Sequence, residues 1–324
     1  MKAALCKTFD GPDAMAIETL PDPQPGPGEV VVRVRAAALN FFDTLITRGK
    51  YQYKPEFPFS PAGEIAGVIE KVGAGVFGLA PGQRVCAYLG WGGAREKVLV
   101  KTQVLVLVPE DVSDEAAAGV SVTYGTAMHG LKDRGQLKPG ETVAVLGASG
   151  GAGLAAVELA KLMGARVIAV ASTAEKLAVC KRHGADDLLN YAETDLKQGL
   201  RDLTDGRGVD VIYDSVGGDY AEAALRSIAW GGRFLVIGFA AGQIPKIPLN
   251  LPLLKNCSIV GVFWGEMATR HPETHRANMG QVLTWVAEGK LKPHVHTTYP
   301  LARTAEAIKS LETRTVAGKV ILTI

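Results

Sequence analysis

The sequence predicts an α/β protein of two domains, one rich in β-strands and one built on a doubly wound parallel sheet. Three observations predict it. The chain has 324 residues, too many for one ordinary domain and about right for two. From Thr142 onward, apolar strand-like runs alternate with helical stretches, the pattern of a parallel sheet covered on both faces. Between the first such strand and the first such helix stands Val143–Gly153, Val-Ala-Val-Leu-Gly-Ala-Ser-Gly-Gly-Ala-Gly.

Composition removes several classes of function. Apolar residues make up 47% and charged residues 21%, so a large core can be buried and disorder is not expected. A net charge of +2, with no block of like charges, gives no electrostatic case for nucleic acid or a membrane surface. No uncharged apolar run of about 18 residues predicts a membrane span. Met1–Cys6 runs straight into a strand pattern and lacks the apolar core of a signal peptide. The expectation is a soluble cytoplasmic protein. Cys6, Cys86, Cys180 and Cys257 are far apart with no C-x-x-C pair, which predicts reduced, mostly buried thiols.

Residues 1–123 read as mostly β. Pro21–Gly28 holds four prolines and two glycines and cannot be helical. Val30–Ala38, Ile65–Val72 and Gln83–Tyr88 are strands, with a turn at Pro81-Gly82. Lys97–Val108 gives two more apolar stretches, ending at Pro109. Ser113–Leu131 turns helical and alanine-rich, with Asp114 and Glu115 in its first turn, where the helix dipole favours acids. A second helix is predicted over Thr123–Arg134, ended near Gly135.

The parallel strands are Val143–Leu146, Val167–Ala171, Asp187–Leu189, Val209–Asp214, Phe234–Ile237 and Ser258–Val262. Helices fall near 152–163, 174–183, 195–203 and 219–229. After 263 come a helix over 273–289, a strand Val295–Tyr299, an amphipathic helix Ala302–Leu311 and a last strand Lys319–Ile324. These lack further β-α-β partners and are assigned back to the first domain. The prediction is one domain from 1–123 and 264–324, with 124–263 inserted.

Gly147, Gly150, Gly151 and Gly153 punctuate the turn after the first parallel strand. Glycines let backbone approach a pyrophosphate without Cβ collisions, and the helix N-terminus offers it unpaired N–H groups. This predicts a dinucleotide site. In NAD-binding versions an acid about 20 residues on takes the ribose 2′-hydroxyl. Here the second strand ends Val170-Ala171-Ser172-Thr173 with no acid, Lys176 follows, and Tyr191 ends the next strand. A hydroxyl, an ammonium and a phenol suit a 2′-phosphate, so the expected cofactor is NADPH. Two blander readings stay open: Ser172-x-x-Glu175 as a capping box, and Lys176 as a solvated helix residue.

Further motifs span nearly the whole chain. They are Asn40-x-x-Asp43 with Gly49-x-Tyr51, Pro61-x-Gly63-x-x-x-Gly67-Val68-Ile69, Gly82-Gln83-Arg84-Val85, Thr126-Ala127 and Gly318-Lys319-Val320. With the glycine turn, they resemble the zinc-free quinone oxidoreductases, of zeta-crystallin type, in the medium-chain dehydrogenase/reductase superfamily. The resemblance implies a GroES-like catalytic domain beside a Rossmann domain. The first zinc-ligating cysteine of the zinc-dependent relatives is Asn40 here, and their Gly-His-Glu aligns with Ala62-Gly63-Glu64. No metal is therefore expected. His271/His275 and His294/His296 have ligand-like spacing but no third convergent ligand.

The resemblance also implies roles. Asn40, Asp43 and Tyr51 would line the substrate cleft: Asn40 donating to an oxygen, Tyr51 donating or supplying a proton, Asp43 orienting its neighbours. The alternative is that they only tie down loops. Thr126 would face the nicotinamide, and Gly150, Gly151, Ala152 and Gly153 would hold the pyrophosphate. Gly238, Phe239, Phe263 and Trp264, at strand carboxyl ends, and Lys319 would join the cofactor contacts; the aromatics could instead be core or dimer packing. Leu45 and Thr47 stand where many relatives carry a tyrosine and an arginine, which bears against a simple quinone preference. The expected reaction is hydride transfer from NADPH to a quinone or an α,β-unsaturated carbonyl. The rivals are a 2-enal or enoyl-CoA reductase and a non-catalytic, crystallin-like NADPH-binding protein. A homodimer is expected through the sheet edge at Asn256–Phe263.

Overall fold

The computed structural model describes residues 1–313 and 315–324. They form two compact units, Met1–Val122 with Met267–Ile324, and Thr123–Glu266. In the first, β1 (Lys2–Leu5) pairs antiparallel with β2 (Ala16–Thr19). The long β3 (Glu29–Leu39) is buried on both faces over Val30–Val32 and Ala36–Leu39 and alternates only between them, where Arg33 and Arg35 point outside. It pairs antiparallel with β4 (Glu64–Val72), which pairs with β5 (Arg84–Tyr88). Gly67 is required there: a Cβ would lie 2.2 Å from the Arg33 carbonyl oxygen on β3. β6 (Lys97–Lys101) pairs with β3, and β7 (Leu105–Leu107) with β5. The chain leaves β3 directly into α1 (Phe41–Ile46).

Where two helices were expected, one runs unbroken. α2 (Asp114–Met128) continues into a π-helical turn, His129–Arg134. Glycine at 125 does not break it, because the Trp264 ring stands 2.6 Å from where a Cβ would be, so packing fills the gap the glycine leaves.

The second unit is a six-stranded parallel sheet. Its strands are β8 (Thr142–Leu146), β9 (Arg166–Ala171), β10 (Asp187–Asn190), β11 (Val209–Asp214), β12 (Ile228–Val236) and β13 (Ser258–Gly261). Between them lie α3 (Gly151–Leu162), α4 (Ala174–Arg182), α5 (Leu196–Asp202), α6 (Tyr220–Arg226) and α7 (Asn250–Lys255). The strand order β10-β9-β8-β11-β12-β13 is that of the doubly wound dinucleotide fold, with the order reversing beside β8. Val143, Ala144, Val145, Val167, Ile168 and Ala169 are fully buried, as a sheet covered on both faces requires.

α8 (Trp264–Arg270) and α9 (Pro272–Ala287) lead back. β14 (Val295–Pro300), α10 (Thr304–Glu312) and β15 (Lys319–Thr323) close the chain. β15 pairs antiparallel with β3, extending the first sheet to the order β14-β15-β3-β4-β5-β7. This pairing brings the last strand of the chain beside the segment that enters α1. Among the described residues no helix is long and apolar enough to cross a membrane.

Candidate active site

The centre of the β-rich unit is a buried polar cluster where β3 meets α1. Asn40 caps α1, and its backbone N–H donates to Asp43 Oδ2 at 2.8 Å. The other oxygen of Asp43 accepts from the Ala62 N–H at 2.9 Å. Asp43 is completely buried, and that burial pushes its carboxyl up to about 7 against the pull of the two backbone donors; Glu64 nearby adds to the rise and Lys319 opposes it. With no exposed surface Asp43 cannot touch a substrate. It holds the turn into α1 against the Ala62 backbone, a positioning role rather than a catalytic one.

The side chain of Asn40 is clamped from both ends. Its Nδ2 donates to Glu64 Oε1 at 2.9 Å, and its Oδ1 accepts from Lys319 Nζ at 2.7 Å. Lys319 Nζ also donates to Glu64 Oε1 at 2.6 Å and to the Leu39 carbonyl at 3.1 Å. Glu64 Oε2 accepts from the Val122 N–H at 2.7 Å. An ammonium has three donors, and all three are engaged. Lys319 is therefore not a cofactor contact: it is buried in the β-rich unit with no donor left over. Asn40 is 9% exposed, and the second N–H of its amide has no partner among the described residues.

Beside this cluster lies an aromatic wall. Tyr51 stacks on Phe42 with ring centroids 5.4 Å apart and meets Tyr53 edge-on at 5.9 Å. Phe9, Phe57 and Phe59 form a second group, Phe9 and Phe57 being 4.5 Å apart. Tyr51 also packs against the buried Cys6, Ile46 and Phe59. Burial raises the Tyr51 phenol, with Tyr53 and Asp43 adding to the rise, so the hydroxyl stays protonated and is a donor.

In the second unit the glycine turn links β8 to α3. Gly147 takes φ of +69°, and a Cβ on Gly153 would lie 2.2 Å from the Gly147 carbonyl oxygen. Gly150 is the N-cap of α3 and carries no side-chain cap. The first N–H groups of a helix have no intrahelical partner; that of Gly150 is taken by the Gly147 carbonyl at 3.0 Å, so the donors at this turn are the N–H groups of Gly151, Ala152 and Gly153. A glycine turn opening onto uncapped helix N–H groups fits a pyrophosphate.

At the tip of β9, Lys176 Nζ donates to Ser172 Oγ at 3.4 Å. The cap of α4 is Thr173, whose Oγ1 accepts from the Lys176 N–H at 3.3 Å, and Glu175 is exposed. The capping-box reading of Ser172 is thus overturned: the hydroxyl one residue later does that work, leaving Ser172 beside the ammonium. Tyr191 follows β10, its ring tilted against Tyr220 at 4.5 Å. A hydroxyl and an ammonium side by side, with no acid at the strand tip, fit a 2′-phosphate.

The remaining residues divide. Thr126 is half-buried on α2, and Gly238 is half-buried beyond β12. Phe239 is 38% and Phe263 49% exposed. Trp264 is 4% exposed and its ring fills the space above Gly125, as the packing alternative for this side chain expects. His275 is buried and its pKa is lowered to about 4 by that burial, whereas His271 is exposed. Among the described residues no three His, Cys, Asp or Glu side chains are grouped to hold a metal ion. Glu64 and Lys319 went unrecognised as a pair in the sequence. The available signal was one acid and one base at core-facing positions of two apolar strands.

Two domain families match: alcohol dehydrogenase GroES-like domain over residues 26–110 and zinc-binding dehydrogenase over 151–287. The chain is 40% identical to the quinone oxidoreductase-like protein 2 homolog of Nematostella vectensis, covering 99% of this chain and 88% of that one. It matches the structure of Escherichia coli quinone oxidoreductase complexed with NADPH at 28% identity and TM-score 0.93, over the full length of both. A mycobacterial protein complexed with NADPH matches at 31% identity and TM-score 0.93, again over both full lengths. Fold and matches together define an oxidoreductase of the medium-chain dehydrogenase/reductase superfamily. Within it, the chain belongs to the quinone oxidoreductase-like proteins.

Proposed function

We propose that this protein is an NADPH-dependent reductase that delivers a hydride to a quinone or to the β-carbon of an α,β-unsaturated carbonyl, without a metal. The observation that carries the reading is the uncommitted N–H of the clamped Asn40 amide, set beside an aromatic wall. Such a site suits a flat, conjugated acceptor with an oxygen to be polarised. The oxidoreductases it resembles, complexed with NADPH, support the cofactor.

Gly150, Gly151, Ala152 and Gly153 would hold the pyrophosphate, and Ser172, Lys176 and Tyr191 the 2′-phosphate. When bound, NADPH supplies the hydride from C4 of its nicotinamide. Asn40 donates a hydrogen bond to the acceptor's oxygen, drawing electron density toward it as charge develops. The phenol of Tyr51, protonated before the reaction, would pass its proton to the reduced product and regain one from water, or water supplies the proton directly. The aromatic side chains exclude water and align the acceptor, and such alignment lowers barriers by ~7–11 kcal/mol in favourable cases.

The test is coenzyme oxidation across quinones, enals and enoyl thioesters, run with both NADPH and NADH. The reading expects turnover of quinones or enones with NADPH preferred. Turnover of enoyl thioesters alone would transfer the assignment to that acceptor class. Tight NADPH binding without turnover of any acceptor would leave a binding protein.

We also propose a homodimer through β13. That strand ends the parallel sheet, and Ile259 on it and Phe263 just beyond are 41% and 49% exposed. An unpaired edge carrying apolar side chains invites pairing with its copy. A solution mass of twice the chain is expected; a clean monomer would sink the idea.

A further inference from the structure

We infer that Lys319 and Glu64 are positioning residues that fix which way the Asn40 amide faces, and so make the site a donor and not an acceptor toward substrate. The inference rests on the reading of Asn40 as the group that polarises the acceptor's oxygen. An amide has two near-isosteric ends, one donating and one accepting. Here the choice is not left to the substrate. The ammonium of Lys319 lies 2.7 Å from Asn40 Oδ1, and the Glu64 carboxylate lies 2.9 Å from Nδ2. Turning the amide over would set oxygen against carboxylate and N–H₂ against ammonium. Two charge-assisted bonds would become two repulsive contacts in a place where Glu64 has no solvent exposure and Lys319 only 4%.

The clamp is itself held. Glu64 Oε2 is taken by the Val122 N–H, and the third Lys319 donor by the Leu39 carbonyl. The ammonium comes from β15, the carboxylate from β4 and the amide from the end of β3, so β-sheet pairing brings all three together. Once the amide oxygen and one N–H are engaged, a single N–H remains. The chemical consequence is selectivity for acceptors that present an oxygen, over substrates that would need a hydrogen-bond acceptor at this point.

The experiment is a double-mutant cycle on the full-length protein. Lys319→Met alone leaves a buried carboxylate unpaired, so the paired variant Lys319→Met with Glu64→Gln removes both charges and keeps the volume. It is compared with Asn40→Ala and with the triple variant, each checked for its melting temperature and NADPH affinity. Asn40→Ala is expected to lower kcat/KM for the acceptor by about 100-fold, the scale of losing one oxyanion donor. The paired variant is expected to lower it by about 10-fold or more with NADPH affinity unchanged, and to have less than about a twofold effect once Asn40 is already alanine, because coupled groups act as one. A paired variant with wild-type kcat/KM, or with the same loss in both backgrounds, overturns the positioning role and leaves Asn40 as the donor. Wild-type turnover by Asn40→Ala overturns both.

Discussion

The two regions proposed to bind coenzyme and acceptor are built from opposite materials. The glycine turn between β8 and α3 is shaped by backbone and by missing side chains: Gly153 must lack a Cβ, and Gly150 opens a helix that no side chain caps. The cluster at Asn40 is built on side chains, an ammonium from β15, a carboxylate from β4 and an amide just beyond β3, with almost no solvent. One should therefore fail by steric intrusion and the other by loss of charge balance. The contrast also separates their tasks. A pyrophosphate is the same in every turnover, so a rigid backbone cradle suffices, whereas an acceptor oxygen that gains charge during reaction needs an oriented dipole.

The largest effect is expected where charge balance is broken. Lys319→Met strands the Glu64 carboxylate without its counter-ion, and removing one partner of a buried pair costs about 3–5 kcal/mol. Denaturant unfolding would measure it. A loss below about 1 kcal/mol would mean that Glu64 takes up a proton or reaches water when unpaired, and the cluster would be less tightly closed than its geometry indicates.

The same closure gives a pH dependence. Asp43 is an acid whose folded pKa is raised to about 7 by burial, above its unfolded value. Between about pH 4 and 7 the folded protein then keeps a proton that the unfolded chain has released. Stability is full below that window and falls as pH rises through it, by at most ~4 kcal/mol, levelling off above 7. Asp43→Asn should abolish this slope while lowering stability overall, because an amide offers only one oxygen to the two backbone donors of Asn40 and Ala62. Unfolding curves collected from pH 4 to 8 decide it. An unchanged slope in the variant would place the titrating group elsewhere.

At the glycine turn, Gly153→Ala puts a methyl 2.2 Å from the Gly147 carbonyl oxygen, which is backbone and cannot swing aside. Overpacking of this kind costs about 1–3 kcal/mol. The turn must open to accept it, so NADPH affinity should fall at least about tenfold while the Asn40 cluster is untouched. Calorimetric titration reads the affinity, and an unaltered Kd would show that the cofactor does not depend on the shape of this turn.

The two regions also differ in how far the sequence disclosed them. Backbone-made features leave local marks: the glycines at 147, 150 and 153, the strand before them and the helix after them lie in one short stretch. The strands of the parallel sheet follow from the alternation of apolar runs and helices after Thr142. The Asn40 cluster is spread over residues 39–43, 62–64, 122 and 319, and only the pairing of β15 and β4 with β3 joins them. Asn40 and Tyr51 were visible through family motifs, but Lys319 was read as a cofactor contact because its β-strand partners were unknown. For Trp264 the sequence leaves cofactor contact and packing open, and its ring lies over Gly125. The cap of α4 went to Thr173 rather than Ser172 for a local reason, since the helix starts one residue later than the capping pattern implies.

That shift of one residue sets up the smallest expected effect and the sharpest test of cofactor choice. With Thr173 capping the helix, Ser172 and Lys176 have their side chains together at 3.4 Å at the end of β9, where NAD-binding folds place an acid. If they receive a 2′-phosphate, Lys176→Ala removes one charge-assisted contact that only the phosphorylated coenzyme makes. NADPH affinity should then fall about tenfold, or ~1.4 kcal/mol, with NADH affinity unchanged within about twofold. Fluorescence titration of both coenzymes measures the ratio. A parallel loss for the two would make Lys176 a support of the α4 start rather than a phosphate ligand, and no loss for either would put the adenine ribose somewhere other than beyond β9.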